Sequence, residues 1–114
     1  MSIDLQTLFS LQKEITLILP SKTQDGCQLD LNLLIEEFLL KMTKIFGGCQ
    51  VQTNLKGSYI MQNGSIMIED NACVIASCEP TKDLKDFLEL CLFLKMQYKQ
   101  ECVAFKIDGV LYFC

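Results

Sequence analysis

Histidine, arginine and tryptophan are absent from this chain of 114 residues. Without histidine there is no imidazole for general acid–base work, no Ser-His-Asp or Cys-His nucleophile and no imidazole metal ligand. Without arginine there is no guanidinium fork to clamp a phosphate. Long hydrophobic runs are missing as well. The apolar N-terminal residues Leu5, Leu8, Phe9, Leu11 and Ile15–Leu19 are interrupted by Gln12, Lys13 and Glu14, and no basic region or small-residue cleavage site accompanies them. No stretch approaches the roughly 20 apolar residues that span a bilayer. The expectation is a soluble, cytosolic protein. Repeats, low-complexity tracts and linkers are lacking too, so residues 1–114 read as one domain.

Positive charge is scarce. Ten lysines face fourteen aspartates and glutamates, for a net charge of −4. A nucleic-acid partner is not expected, because binding polyanions requires a dense cationic patch. Lys82, Lys85, Lys95 and Lys99 come nearest, but Asp83, Asp86 and Glu89 alternate with them and describe a solvated helix face. The same acidic balance argues against an anionic membrane surface. Half the residues are apolar, enough to build a core in a domain that hides roughly two-thirds of its unfolded surface.

Cysteine, by contrast, is abundant. The seven residues Cys27, Cys49, Cys73, Cys78, Cys91, Cys102 and Cys114 are odd in number and contain no C-x-x-C pair. They read as reduced thiols rather than a disulfide frame, with Cys73, Cys91 and Cys102 inside apolar segments as small buried hydrophobes. No metal site and no cofactor is expected.

Along the chain, residues 3–11 have helical spacing and predict a short N-terminal helix. Glu14–Leu19 alternates and ends at Pro20, a strand. Asp30 is suited to cap a helix whose apolar residues Leu34, Ile35, Phe38, Leu39, Met42, Ile45 and Phe46 recur at i, i+3/i+4, and Gly47-Gly48 supply its stop. Cys49–Met61 and Ser65–Cys78 read as strands joined by a type I′ turn at Asn63-Gly64. That turn sets Ile60 against Met67, Tyr59 against Ile68 and Ser58 against Glu69. Thr81 is the expected cap of a second helix reaching about Gln100, with a stripe of Leu84, Phe87, Leu88, Cys91 and Leu94 that Tyr98 would extend. Cys102–Ile107, an Asp108-Gly109 turn and Val110–Phe113 complete the pattern.

This order predicts an α+β, ferredoxin-like βαββαβ fold with an antiparallel sheet and both helices on one face. The other sheet face then lies open. Ile60, Met67, Leu90, Leu92 and Phe93 are surplus apolar residues and become interface candidates. A homodimer or larger homo-oligomer of the dimeric α/β-barrel type is the expected way to cover them, with a protein or small-molecule partner as a further option.

Phe46-Gly47-Gly48, Gly57-Ser58-Tyr59, Asn63-Gly64-Ser65-Ile66, Glu69 and Tyr98-Lys99-Gln100-Glu101-Cys102-Val103 together carry a resemblance over residues 14–107. The chain resembles a family of small bacterial proteins of unknown function. Their pattern is an aromatic-Pro/Gly-Gly turn, a Gly-x-aromatic strand, an Asn/Asp-Gly hairpin, a Glu, and a helix ending in Gln-Glu-x-Val. The chain departs from it in having Tyr59 where Trp is common and no Arg beside Glu69. The resemblance implies the fold and no activity.

Tyr59, Glu69, Gln100 and Glu101 are the candidate ligand-binding residues. Glu69 and Glu101 would form an acid–base pair if their segments converge, and Tyr59 offers a face for a flat ligand. No residue is assigned a catalytic role, and the balance lies against an enzyme. The leading reading is a non-enzymatic association or ligand-binding module acting as a homo-oligomer. A small ligand-binding enzyme of the dimeric α+β barrel type and a regulator or inhibitor carried on a mobile element are the alternatives.

Overall fold

A computed structural model of the chain describes residues 4–5 and 8–114. The elements run β1 (Lys13–Leu19), α1 (Leu31–Phe46), β2 (Gln50–Ile60), β3 (Ile66–Cys78), α2 (Lys85–Gln97), β4 (Ala104–Ile107) and β5 (Val110–Phe113). The sheet order is β2-β3-β1-β4-β5, with every neighbouring pair antiparallel. This is the ferredoxin-like arrangement, extended at one edge by β5. The expected N-terminal helix falls partly outside the described residues, and residues 9–12 carry no helix.

Alternation along the strands decides the core. Ile15, Leu17 and Leu19 of β1, Ala72, Val74, Ala76 and Cys78 of β3, and Phe105 of β4 are buried. They meet Leu34, Phe38 and Met42 of α1 and Phe87, Leu90, Cys91 and Leu94 of α2 in one cluster. The intervening residues Thr16, Ile18, Cys73 and Ile75 lie on the helix-free face.

Helix α1 begins and ends on the residues its sequence marks. The Asp30 carboxylate accepts the N–H groups of Asn32 (3.1 Å) and Leu33 (3.3 Å), and Gly47 at φ 86° donates its N–H to Thr43 O (2.7 Å). Helix α2 departs from expectation at both ends. Pro80 sits second in a turn that Lys82 N–H closes onto Glu79 O (3.0 Å), so Thr81 is spent there. The helix starts at Lys85 instead, whose N–H is taken by the Asp83 carboxylate (3.0 Å).

Its buried stripe is also rotated. Phe87, Leu90, Cys91 and Leu94 follow the i, i+3, i+4, i+7 rule, so Leu90 is core and not interface, while Leu88 is exposed. Leu92 remains exposed. Phe93 is partly engaged, with its ring centroid 6.2 Å from that of Phe38 and 3.6 Å from the Lys41 ammonium. Beside them the Tyr98 hydroxyl donates to the Glu37 carboxylate, which pushes the phenol up to about 12.

Of the two glycine turns, Asp108-Gly109 is the tight turn expected and Asn63-Gly64 is not. In the loop joining β2 and β3 only Gly64 is left-handed (φ 85°). Gly64 N–H bonds Met61 O (2.9 Å), Met61 N–H bonds Ser65 O (2.8 Å), and the Asn63 side chain accepts from Ser65 N–H (2.9 Å). This is a three-residue loop with a glycine bulge rather than a two-residue type I′ turn. The ladder consequently shifts by one residue: Gly57 faces Glu69, Ser58 faces Ile68, Tyr59 faces Met67 and Ile60 faces Ile66. The type I′ geometry occurs at Asp108 (φ 50°) and Gly109 (φ 80°), between β4 and β5.

All seven cysteines are free. Cys91 is fully buried, which pushes its thiol up to about 12. Cys102 corrects the expectation of burial: it precedes β4, outside the alternating ladder, and is exposed. No helix among the described residues is long and apolar enough to cross a membrane.

β3 is far longer than β1, which pairs only with Ala72–Cys78. Ile66–Asn71 and the facing half of β2 therefore project as a two-stranded arm. The molecule measures 57 × 28 × 25 Å with a radius of gyration of 15.7 Å, against about 13 Å for a compact chain of this length.

Lys99, two residues beyond α2, holds φ 51° where glycine is the ordinary choice, and Gln100 N–H reaches back to Lys95 O (3.0 Å). Lys99→Gly is expected to raise stability by about 1 kcal/mol by relieving the left-handed side chain, as read by the urea midpoint. A lower midpoint would show that the lysine is not strained.

Candidate functional site

β1 and β3 separate after the Leu19–Ala72 pair. Pro20 turns the chain away, and the amides of Ser21 and Lys22 lose the strand carbonyls they would otherwise meet. The Glu69 side chain takes their place. Its Oε2 accepts Ser21 N–H (3.1 Å) and Lys22 N–H (2.8 Å). Lys22 Nζ donates to Ile68 O (3.0 Å), fastening the same loop to β3. Burying a carboxylate without donors would be costly, and here the donors are backbone amides that need an acceptor themselves.

Asn71 extends this into a chain of bonds. Its Nδ2 donates to Leu19 O (3.1 Å) and to Glu69 Oε1 (3.3 Å), while its Oδ1 accepts the Tyr59 hydroxyl proton (2.8 Å). Glu69 is 7% exposed and Asn71 4%. Burial, together with the Glu69 charge, raises the Tyr59 phenol above its ordinary value of 10, so it keeps its proton through the neutral and mildly alkaline range.

Tyr59 reaches Asn71 because Gly57 has no side chain. A Cβ at Gly57 would overlap Asn71 Oδ1 and the Tyr59 hydroxyl, and would come within 2.6 Å of the Tyr59 ring edge. The tyrosine thus lies folded back over Gly57, across the ladder from Glu69.

The end of α2 supplies the opposite wall. Gln100 Nε2 donates to Lys22 O (2.8 Å) and Tyr98 O (3.0 Å), and Gln24 N–H donates to Lys99 O (2.8 Å). Glu101 Oε1 accepts Gln62 N–H (3.3 Å) from the hairpin loop. Between these walls lies a cavity of about 390 Å³, with Ile18, Met61, Ala104 and Phe113 among its apolar sides.

Tyr59, Glu69, Gln100 and Glu101 all line this one cavity, as do Ile60 and Met67 from the interface candidates. Glu69 and Glu101 are not arranged as a mutual pair, since each is held by backbone amides from a different loop. Nor does Glu69 face Ser58, because the register shift sets it opposite Gly57. Asn71 and Gly57 help build this site but were not among the candidate binding residues. The signal for Asn71 was available: Glu69 and Asn71 are polar residues two apart, set between Met67 and Cys73 on one strand face. Among the described residues, no group of three or more Cys, Asp or Glu is placed to hold a metal.

No protein-family model and no curated protein matches the chain. Two solved structures do. One is a phage SAM lyase in complex with S-methyl-5′-thioadenosine, with a TM-score of 0.71 and 15% identity, covering 98% of this chain and 95% of that one. The other is a phage SAM lyase in the apo state, with a TM-score of 0.66 and 15% identity, covering 95% of each. At this identity the likeness shows the fold. It also corrects the leading expectation of a non-enzymatic association module: both of these structures, matched from end to end, are of an enzyme.

Gly57→Ala is expected to cost roughly 1–3 kcal/mol, the range for forcing extra volume into a packed contact, with a changed tyrosine signal in near-UV circular dichroism. An unaltered melting temperature and spectrum would show that Tyr59 is not held over Gly57.

Proposed function

We propose that this protein is an enzyme that binds S-adenosylmethionine in the cavity walled by Tyr59, Glu69, Gln100 and Glu101 and cleaves it as a lyase, releasing S-methyl-5′-thioadenosine. The observation that carries this reading is the end-to-end likeness to the SAM lyase structures, joined to a cavity lined by a buried carboxylate.

The chemistry suits a chain without histidine. A sulfonium is its own leaving group: when the bond from sulfur to the four-carbon chain breaks, the electron pair stays on sulfur and its charge is neutralised. Attack by the substrate's own carboxylate oxygen on that carbon forms a lactone and consumes neither water nor an external base. What the protein must supply is orientation and a poorly hydrated pocket beside fixed negative charge. Glu69, held by two amides and Asn71, provides such a charge, and Tyr59 and Gln100 form walls that position the ligand.

Purified protein incubated with S-adenosylmethionine is expected to release S-methyl-5′-thioadenosine, resolved by chromatography. Glu69→Gln should reduce kcat/KM by about a hundredfold, the usual loss on removing one electrostatic group from an active site. Release no faster than the spontaneous breakdown of substrate would sink the reading.

The homo-oligomer anticipated from composition belongs to the same proposal. Ile60 is 78% exposed and also lines the cavity, and Ile66 and Ile68 beside it on the arm are exposed too. The ladder sets Ile60, Ile66 and Ile68 on the face of the arm opposite Tyr59 and Glu69, so a second copy packed there would cover the arm and reach the cavity at the Ile60 rim. Native mass spectrometry in reducing buffer is expected to give a multimer, and Ile60→Lys with Ile66→Lys is expected to give a monomer of lower activity. A monomeric wild type at full activity would reject this part of the proposal.

A further inference from the structure

The hydrogen-bond directions around the cavity are determined by their partners. Asn71 Nδ2 sits against two acceptors, Leu19 O and Glu69 Oε1, so both of its N–H bonds are committed and its oxygen must face Tyr59. The Tyr59 proton is then spent on that oxygen, and the phenol has only lone pairs to present to a ligand. Gln100 behaves in the same way: Nε2 faces two carbonyls, Lys22 O and Tyr98 O, which leaves its Oε1 as the free atom. Glu69 and Glu101 are carboxylates with backbone amides on one side.

Every polar side chain that the fold anchors at this cavity therefore offers acceptors and no donor. Gln24, Ser58 and Cys102, all exposed at the rim, are the side chains that keep free donors, the thiol a weak one. No lysine lines the cavity among the described residues, and the lysine of the Pro20 loop, Lys22, directs its ammonium to Ile68 O. A second cleft of about 550 Å³ adjoins the cavity, shares Gln24, Met61, Met67 and Glu101 with it, adds Asp25, and has no cationic lining residue either.

We infer that the cavity selects a ligand that is cationic and rich in hydrogen-bond donors, and rejects phosphorylated nucleotides carrying the same adenosine. The inference rests on this cavity being the substrate site and specifies which adenosyl compounds it admits. A positive centre next to Glu69 and Glu101 gains charge-assisted bonds. A neutral thioether gains none, and a phosphate would meet carboxylates and lone pairs, with only neutral donors at the rim and no cation to offset its charge.

Titration calorimetry with three non-cleavable probes tests this. Sinefungin carries a protonated amine in place of the sulfonium, S-adenosylhomocysteine is the uncharged thioether, and 5′-AMP adds a phosphate. Sinefungin is expected to bind at least about tenfold more tightly than S-adenosylhomocysteine, with 5′-AMP weaker again. Glu101→Gln, a near-isosteric change at a partly exposed position, should narrow the sinefungin preference several-fold while leaving the melting temperature in place. Equal affinities for sinefungin and S-adenosylhomocysteine, or 5′-AMP binding as well as either, would overturn the inference. Preference for sinefungin without cleavage of S-adenosylmethionine would sink the lyase reading and sustain this one. Cleavage without charge preference would do the reverse, and no binding of any probe would remove both.

Discussion

The carboxylate of Glu69 is the contact on which the site's architecture depends. A strand of thirteen residues beside one of seven must lose its partner somewhere, and where it does, two amides of the departing chain are left needing acceptors. A side chain from the longer strand answers them. That single substitution of side chain for ladder lets β1 peel away while β3 continues, so a gap opens between the arm and the sheet instead of a closed barrel wall. It also fixes a negative charge at the bottom of the gap. The donors that hold this charge are main-chain groups whose own burial would otherwise be unfavourable, so each side of the contact offsets the other's desolvation.

Much of the fold was legible before the structure. The 3.6-residue spacing from Leu31 to Phe46, the Asp30 cap and the Gly47 stop are local signals, and local physics decides them. The order of elements then leaves few topologies open. What was not legible is register and phase. Asn63-Gly64 and Asp108-Gly109 are both two-residue hairpin signatures, yet only the second forms the two-residue turn. At Asn63 the side chain bonds Ser65, and the loop closes one residue wider. A slip of one residue moves every contact in the arm, which is why Ile60 and Met67 were set opposite one another and are not. The phase of α2 failed for a related reason: with Leu88, Leu90, Leu92 and Phe93 all apolar, hydrophobicity alone cannot say which one faces the sheet.

The site divides along the same line. Tyr59, Glu69, Gln100 and Glu101 stand out as polar or aromatic residues at element ends or within apolar strands, and the structure brings them around one cavity. What each one does there depends on bonds between residues distant in the chain: Glu69 with Ser21, Asn71 with Leu19, Gln100 with Lys22. No pattern of spacing encodes those. Gly57 is the instructive case, since a glycine in a strand signals either a bulge or a close approach. Here it is the approach of Tyr59, two residues away on the same strand face.

Departures from local preference gather around this cavity. Lys99 holds a conformation suited to glycine and so turns Gln100 and Glu101 toward the gap. Glu69 and Asn71 are buried polar side chains in a small domain with a limited core. Ser21 Oγ is buried with no hydrogen-bond partner among the described residues, one position from the amide that binds Glu69. By contrast, α1, on the opposite side of the sheet, begins and ends on the cap and stop its sequence marks. Such segregation is expected when strain and buried polarity are tolerated for what they position, because a rigid, locally consistent element must over-determine the region that is not. The helices and the apolar sheet face thus serve as the frame, and the loops after β1 and α2, together with the arm, carry the buried polar groups. The absence of histidine and arginine fits this division of labour. A pocket made of fixed acceptors needs no group that changes protonation near neutrality, only a scaffold stiff enough to keep its lone pairs aimed inward.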